Sequence, residues 1–141
     1  MLLKILFQQA LYKLFFSIAF LYHICYICSV YKIILLEPAT DFIDTVHNKM
    51  KAKIYRTIDL LEKYGPFLPL PHSKKLTGHD LHELRVKVAS DIVRLFYFHD
   101  KGKIFVITSG YVKKTNKTSM REIDLALKLK YKFQEDLNEK C

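Results

Sequence analysis

Basic side chains are concentrated in the second half of this sequence, where they could hold a polyanion. Between His72 and Lys117 there are ten Lys and Arg residues against four Asp and Glu, a net charge of +6 in a chain whose total is +9. The bases are Lys74, Lys75, Arg85, Lys87, Arg94, Lys101, Lys103, Lys113, Lys114 and Lys117. Because cations that converge on one surface bind phosphates, this segment is a candidate for binding nucleic acid.

Arg94 and Tyr111 have the most informative surroundings in this segment. Arg94 interrupts the apolar run DIVRLFYFH, and a buried guanidinium is costly unless it meets an acid or an anionic ligand. Tyr111 could stack on an unpaired base beside the cations, as in sites that bind RNA. Alternatively, Arg94 pairs with Glu83 or Asp91. In that reading Tyr111 is a core ring, and the lysines only keep the surface soluble.

The first 29 residues differ in composition from the rest of the chain. The chain has 141 residues and is half hydrophobic, but no acid precedes Glu37, and Leu14 to Tyr31 form an uncharged run of 18 residues. That length is the lower limit for a membrane-spanning helix. Lys4 could also open a signal sequence, although no small-residue cleavage site follows the run. A third reading is that residues 1–29 are not part of the working protein, because translation starts near residue 30.

Periodicity in residues 30–64 indicates a strand followed by two helices. The apolar run at 30–36 is typical of a strand, and Pro38 suits the first turn of the helix that comes next. Asn48 is the predicted N-cap of the second helix, which ends at Gly65. The sequence thus predicts a helical hairpin packed on a sheet.

The remainder of the chain is predicted to add three strands and a helix. A loop is expected at 65–80, which holds three of the four prolines. The first strand alternates apolar and charged residues, and the second is apolar on both faces and therefore central. Ser119 and Glu122 have the spacing of a capping box at the start of the last helix. This pattern predicts a small α+β domain with the order β-α-α-β-β-β-α.

Linked motifs in residues 74–126 resemble the HigB-like, phage-derived branch of the RelE/ParE toxin superfamily. They are K-K-L at 74–76, E-L-R at 83–85, R-L-F-Y at 94–97, Y-V-K-K-T at 111–115 and R-E-I-D-L-A at 121–126. Their order and spacing fit, and the resemblance covers about residues 30–138, which we take as the toxin domain. Because the leader has no counterpart in this pattern, a mis-assigned start is our preferred explanation for residues 1–29, and a membrane or signal segment is the alternative.

The resemblance implies the toxin of a type II toxin–antitoxin pair with a RelE-like fold. Such toxins typically cleave mRNA on the ribosome by attack of a ribose 2′-OH on the adjacent phosphate, and they use no metal or cofactor. The implied partners are ribosome-bound mRNA and a small helix-turn-helix antitoxin, with no membrane partner unless the leader is real. After the leader the chain holds one cysteine, its last residue Cys141, which suits a reducing cytoplasm.

Ten residues are candidates for the site. Arg85 matches the arginine that stabilises the phosphate in the family, and Arg94 matches the arginine of the next strand. His72 is a candidate proton carrier, because histidine as a residue type can exchange a proton near neutral pH. The predicted catalytic set is Arg85, Arg94, Lys75, Lys113 and His72. The predicted RNA-binding set is Lys74, Lys87, Tyr111, Lys114 and Lys117.

Two other functions remain open from the sequence. One is a ParE-like or decayed toxin that acts only by binding a protein, either its antitoxin or a target of the gyrase type. The other is a small membrane-anchored protein of unknown role. The cluster of bases favours the nuclease, because ParE-type chains generally lack it.

Overall fold

The computed structural model describes residues 31–140, which lie in the second of the two units into which the chain divides, Tyr31–Cys141. The predicted leader at residues 1–29 lies outside the described residues. Within the part that is described, no helix is both long and apolar enough to cross a membrane. The elements are β1 (Lys32–Leu35), α1 (Glu37–Thr45), α2 (Asn48–Tyr64), a 3-10 turn (Gly65–Phe67), β2 (Ser73–Lys75), β3 (His82–Val88), β4 (Asp91–His99), β5 (Ile104–Val112) and α3 (Met120–Glu139).

A single five-stranded sheet organises the described residues, in the order β1-β5-β4-β3-β2. β1 runs parallel to β5, and the other neighbours are antiparallel. The predicted α+β class and the central place of the strand that holds Arg94 are both confirmed. The parallel pairing of β1 follows from its connection, since two helices carry the chain across the sheet before the antiparallel strands begin.

The helical hairpin of α1 and α2 covers one face of the sheet. Its buried side chains, among them Ile43, Ile54 and Leu61, pack with Leu84, Leu95 and other strand residues in the larger core cluster. The predicted N-cap at Asn48 is wrong. His47 occupies the cap position, where its Nδ1 accepts the backbone N–H of Met50 at 3.2 Å. Gly65 ends α2 as predicted, with the positive φ of 55° that glycine adopts without strain.

Residues 65–80 are not the uninterrupted loop that the sequence predicts. They include the 3-10 turn and the short edge strand β2, whose Ser73, Lys74 and Lys75 pair with Leu84, Glu83 and His82 of β3. Three polar residues after a proline-rich stretch carry no strand periodicity of their own. Pairing with β3 therefore defines this strand, and it places a basic segment at the edge of the sheet.

The C-terminal helix α3 packs on β4 and β5, on the sheet face opposite the hairpin. Ile123 and Ala126 are buried there with Phe96 and Phe98, as the helical spacing predicts. Ser119 is the N-cap residue, but its side chain makes no capping hydrogen bond, so the predicted capping box does not form. The backbone carbonyl of Ser119 instead accepts the N–H groups of the first helical turn.

A buried lysine ties α3 to the loop before β3. Lys130 is 6% exposed and lies above the ring of Phe98, with Nζ 5.2 Å from the ring centroid. Its Nζ donates to Oδ2 of Asp80 at 2.6 Å and to the Asp80 carbonyl oxygen at 3.0 Å. Because a buried ammonium needs such acceptors, this link holds α3 against the sheet.

We expect the stability advantage of the wild type over Lys130→Met to shrink in acid. The hydrogen bond and charge of Lys130 lower the pKa of Asp80 from 3.8. A carboxyl whose pKa falls on folding stabilises the folded state above its unfolded pKa, and this contribution is lost as the pH falls through the folded pKa. Urea unfolding at neutral pH and below about pH 3 measures the difference. Lys128→Met is the matched control, and a Lys130→Met difference that stays constant with pH would contradict the expectation.

Candidate functional site

The candidate site lies on the sheet face that carries α3, next to the helix. Cross-strand register places Arg85, Arg94 and Tyr111 in one row and Lys74 opposite Glu83. α3 covers β4 and β5, so side chains of β2 and β3 on this face stay accessible beside it. We call this area the basic face, and its residues are Lys74, Glu83, Arg85, Lys87, Arg94, Tyr111 and Lys113.

Glu83 is the centre of the basic face, although its side chain is only 1% exposed. Its Oε1 accepts from Nε and Nη2 of Arg85 at 3.0 and 2.9 Å. Nη1 of Arg94 donates to both Glu83 oxygens at 3.0 Å. One carboxylate therefore bridges two guanidinium groups that neighbour each other across the strands, and the three side chains together retain a charge of +1.

Arg94 makes hydrogen bonds to two separate parts of the structure. Its side chain is 8% exposed, and Nη1 also donates to Oγ1 of Thr118 in the loop before α3, at 3.1 Å. The expectation that this buried guanidinium meets an acid is confirmed by Glu83. Nε of Arg94 is buried, and within residues 31–140 it has no hydrogen-bond partner. Arg94 thus links β3, β4 and the start of α3.

Arg85 is the more accessible of the two arginines. Its side chain is 28% exposed, and one edge of its guanidinium is used by Glu83. Its Nη1 donates to none of the described residues and is available to a ligand. An oriented guanidinium with free donors suits a phosphate oxygen.

Lys113 shares the electrostatic environment of the arginines. It follows β5, and its backbone N–H donates to the carbonyl of Ile92 at 2.8 Å. Burial, followed by the charge of Arg94, lowers the pKa of Lys113, and Arg85 and Lys74 act in the same direction. Glu83 opposes them. A lysine with a lowered pKa gives up a proton more readily than an isolated one, which makes Lys113 a candidate for proton transfer.

The two lysines of β2 have different surroundings. Lys74 pairs with Glu83 and is exposed on the basic face. Lys75 pairs with His82, so it lies on the other side of the strand, and its charge acts on Asp80 and His82. The structure therefore brings Lys74, but not Lys75, to the arginines.

The remaining predicted residues have different surroundings. The backbone carbonyl of His72 accepts the N–H of Arg85 at 2.8 Å, and the His72 side chain is half-buried. Lys87, Lys114 and Lys117 are exposed. Tyr111 stacks on Phe96, with 5.5 Å between ring centroids and 22° between planes. One face of the Tyr111 ring is therefore occupied within the protein.

Two residues of this arrangement were not among the predicted site residues. The sequence indicates Glu83 only as an alternative partner of Arg94, and it does not indicate Thr118. The signal for Glu83 was present, because it is the one acid among the bases on the polar side of β3. Nothing in the sequence around Thr118 marks it, since its contact with Arg94 spans 24 residues.

No cluster of three or more His, Cys, Asp or Glu side chains that could hold a metal ion occurs among residues 31–140. The side chains described above offer guanidinium and ammonium donors, one buried carboxylate, and a half-buried histidine near Arg85.

Comparison with known proteins gives a family and a fold. The sequence pattern of the family described as phage-derived protein Gp49-like matches residues 41–131. Free E. coli toxin RelE, as a variant with two arginines replaced by alanine, is similar at 18% identity over 70% of this chain and 96% of its own, with a TM-score of 0.51. RelE in the RelE–RelB complex of Pyrococcus horikoshii OT3 is similar at 19% identity over 63% of this chain and 99% of its own, with a TM-score of 0.45. No curated protein sequence matches significantly.

Proposed function

Since this chain belongs to the family of phage-derived Gp49-like proteins and has a RelE-like fold, we propose that it is the toxin of a type II toxin–antitoxin system and cleaves mRNA on the ribosome. Membership of the phage-derived Gp49-like family and the RelE-like fold are confirmed, whereas the HigB-like branch stays a prediction. The observation that carries the proposed activity is the partly exposed Arg85, whose guanidinium is oriented by Glu83 and keeps free donors.

The proposed reaction is attack of a ribose 2′-OH on the adjacent phosphorus. The 2′-oxygen forms a bond to phosphorus and loses its proton to a base, while the bond to the 5′-oxygen breaks and that oxygen takes up a proton. The products are a 2′,3′-cyclic phosphate and a free 5′-OH. Negative charge grows on the phosphate in the transition state, so fixed cations accelerate the step.

The basic face offers a group for each requirement of this reaction. Arg85 is the proposed donor to the phosphate oxygens, and Arg94 supports it from its buried position. Lys113, whose pKa is lowered, and His72 are the candidates for the two proton transfers. The residues predicted to bind RNA would hold the flanking backbone or bases, and they are Lys74, Lys87, Tyr111, Lys114 and Lys117. Lys75, which was predicted to be catalytic, lies on the other side of β2 and has no role in this proposal.

The proposed partners follow from the same assignment. One is mRNA in the ribosome, which places the toxin in the cytoplasm. The other is a helix-turn-helix antitoxin that covers the basic face or holds its side chains apart. A net charge of +6 between residues 72 and 117 suits both a polyanion and an acidic antitoxin segment.

Induction of the full chain should arrest growth and cut translated messages. Primer extension on an abundant mRNA is expected to show new 5′ ends within the coding region, and the same message without its start codon should stay intact. A reading frame for a small helix-turn-helix protein next to the gene should relieve the arrest when it is co-expressed. Growth arrest without new 5′ ends would contradict the nuclease and favour a ParE-like toxin that binds a protein.

A further inference from the structure

Glu83 is a buried acid on a surface that otherwise collects positive charge. A carboxylate with a side-chain exposure of 1% is costly to bury unless its oxygens are fully used. Both oxygens are used here, and every donor belongs to Arg85 or Arg94. Glu83 therefore cannot reach a ligand on the surface, and any effect it has on the site must pass through the two arginines.

The two arginines would repel each other without this carboxylate. Arg85 and Arg94 are direct cross-strand partners on the same face of the sheet, and like charges in that position are unfavourable. Glu83 offsets this repulsion by accepting from both guanidinium groups. Arg85 is partly exposed and has no ion-pair partner among the described residues other than Glu83, so its side-chain direction depends on this contact.

Three neighbours connect Glu83 to the rest of the site. Arg94 extends from Glu83 to Thr118 and so ties β3 to the loop that precedes α3. Lys74 is the cross-strand neighbour of Glu83 on β2. Lys113 lies within the field of both arginines and of Glu83. A single negative charge thus has Arg85, Arg94, Lys74 and Lys113 around it.

We propose that Glu83 is the positioning residue of the basic face, which fixes Arg85 so that the free edge of its guanidinium meets a phosphate oxygen of bound RNA. This inference rests on the proposed function and adds a role to a residue outside the predicted site. Glu83 does not touch the RNA. It converts two mutually repelling side chains into an ordered pair, and order in the phosphate-binding group lowers the cost of reaching the transition state.

Glu83→Gln should have opposite effects on RNA binding and on cleavage, because it removes a negative charge and also removes the contact that positions the arginines. Removal of the carboxylate makes the basic face more positive by one charge, so Coulomb attraction predicts equal or tighter RNA binding. The neutral amide replaces Oε2, which accepts from Arg94, by a donor group, and it leaves Oε1, which both arginines share, without its negative charge. The two guanidinium groups are therefore held less firmly. Misplacement of a catalytic group by about 1 Å lowers a rate by roughly 100-fold.

The test compares the wild type, Glu83→Gln and the control Asp91→Asn, all as full chains. Asp91 is an exposed acid at the start of β4 whose carboxylate approaches His47 at 3.6 Å, so the control removes the same charge without contact to an arginine. Binding is measured with an RNA oligonucleotide that carries 2′-O-methyl groups and cannot be cleaved. Cleavage is measured on ribosomes programmed with a short message. The arginine Nε–H signals are recorded by NMR on the protein without RNA.

We expect Glu83→Gln to bind the 2′-O-methyl RNA at least as tightly as the wild type, to cleave about 100-fold more slowly, and to lose the protected Nε–H signal of Arg85. Asp91→Asn should keep both the rate and the signal. Glu83 is not a positioning residue if the variant keeps the signal, or if its cleavage falls only as far as its RNA binding does. If the wild type cleaves no message, the proposed function fails, and the Nε–H signal alone then decides the role of Glu83.

Discussion

Arg85→Ala should lower the rate of mRNA cleavage by about 100- to 1,000-fold and abolish toxicity, while the domain stays folded. The expected loss is large because removal of one fixed hydrogen-bond donor to a developing oxyanion lowers the catalytic rate by a factor of that order. Stability should change little, since Glu83 keeps both of its contacts to Arg94, at 3.0 Å each. Growth after induction, primer extension on a translated message and thermal unfolding measure the three parts of this expectation.

The matched control for Arg85→Ala is Arg56→Ala. Arg56 is an exposed arginine of α2, which packs on the opposite face of the sheet. It carries the same charge but lies away from the basic face, so Arg56→Ala should stay toxic. Full toxicity of Arg85→Ala, in a chain that melts like the wild type, would remove Arg85 from the site.

Arg85→Lys separates charge from geometry at the same position. Lysine keeps the positive charge, but its single ammonium cannot bond to Glu83 along one edge and present a second edge to a phosphate. The variant is therefore expected to bind RNA nearly as well as the wild type and to cleave it much more slowly.

Local sequence patterns predicted the strands and helices that carry their own periodicity. The central strand β4 was readable because DIVRLFYFH is apolar on both faces, and the apolar stripe of α3 placed Ile123 and Ala126 inward. The edge strand β2 was not readable, because Ser73, Lys74 and Lys75 become a strand only through pairing with β3. Local periodicity contains no information about a partner that is distant in sequence.

The helix caps show how similar local signals lead to different contacts. Asn48 is the better cap by residue type, but His47 holds the position because its ring Nδ1 reaches the N–H of Met50. At α3 the Ser119 and Glu122 spacing is present without the capping hydrogen bond. That end of the helix is joined to the sheet through Thr118 and Arg94 instead, and this contact depends on tertiary structure.

The sequence predicted which residues form the candidate site better than it predicted how deeply each side chain is buried. Alternation along β3 placed Glu83, Arg85 and Lys87 on one side, and the structure agrees. It did not indicate that Glu83 is fully buried while Lys87 is exposed, because burial depends on the guanidinium groups that cover the carboxylate. The same limit applies to Lys75. It was predicted to lie with the arginines because it is next to Lys74 in sequence, but alternation along the strand places it on the other side.

Arg94→Met should destabilise the domain by about 3 kcal/mol, because Arg94 is the only described donor to Oε2 of the buried Glu83, whereas Arg85 donates only to Oε1. Methionine fills most of the volume of the arginine stem, so the lost charge contacts and not a cavity account for this effect. The link from β4 to Thr118 is lost as well. Urea unfolding of the full chain measures the change in the free energy of unfolding.

The double variant Arg94→Met with Glu83→Leu distinguishes an unpaired charge from lost packing. Replacement of both buried partners by apolar side chains removes the uncompensated carboxylate, and such exchanges are often neutral in stability. The double variant is therefore expected to be more stable than Arg94→Met alone, although it should be inactive because Arg85 has lost its anchor. If the two substitutions instead destabilise additively, the Glu83–Arg94 pair does not act as a unit, and packing around β4 must account for the stability of this face.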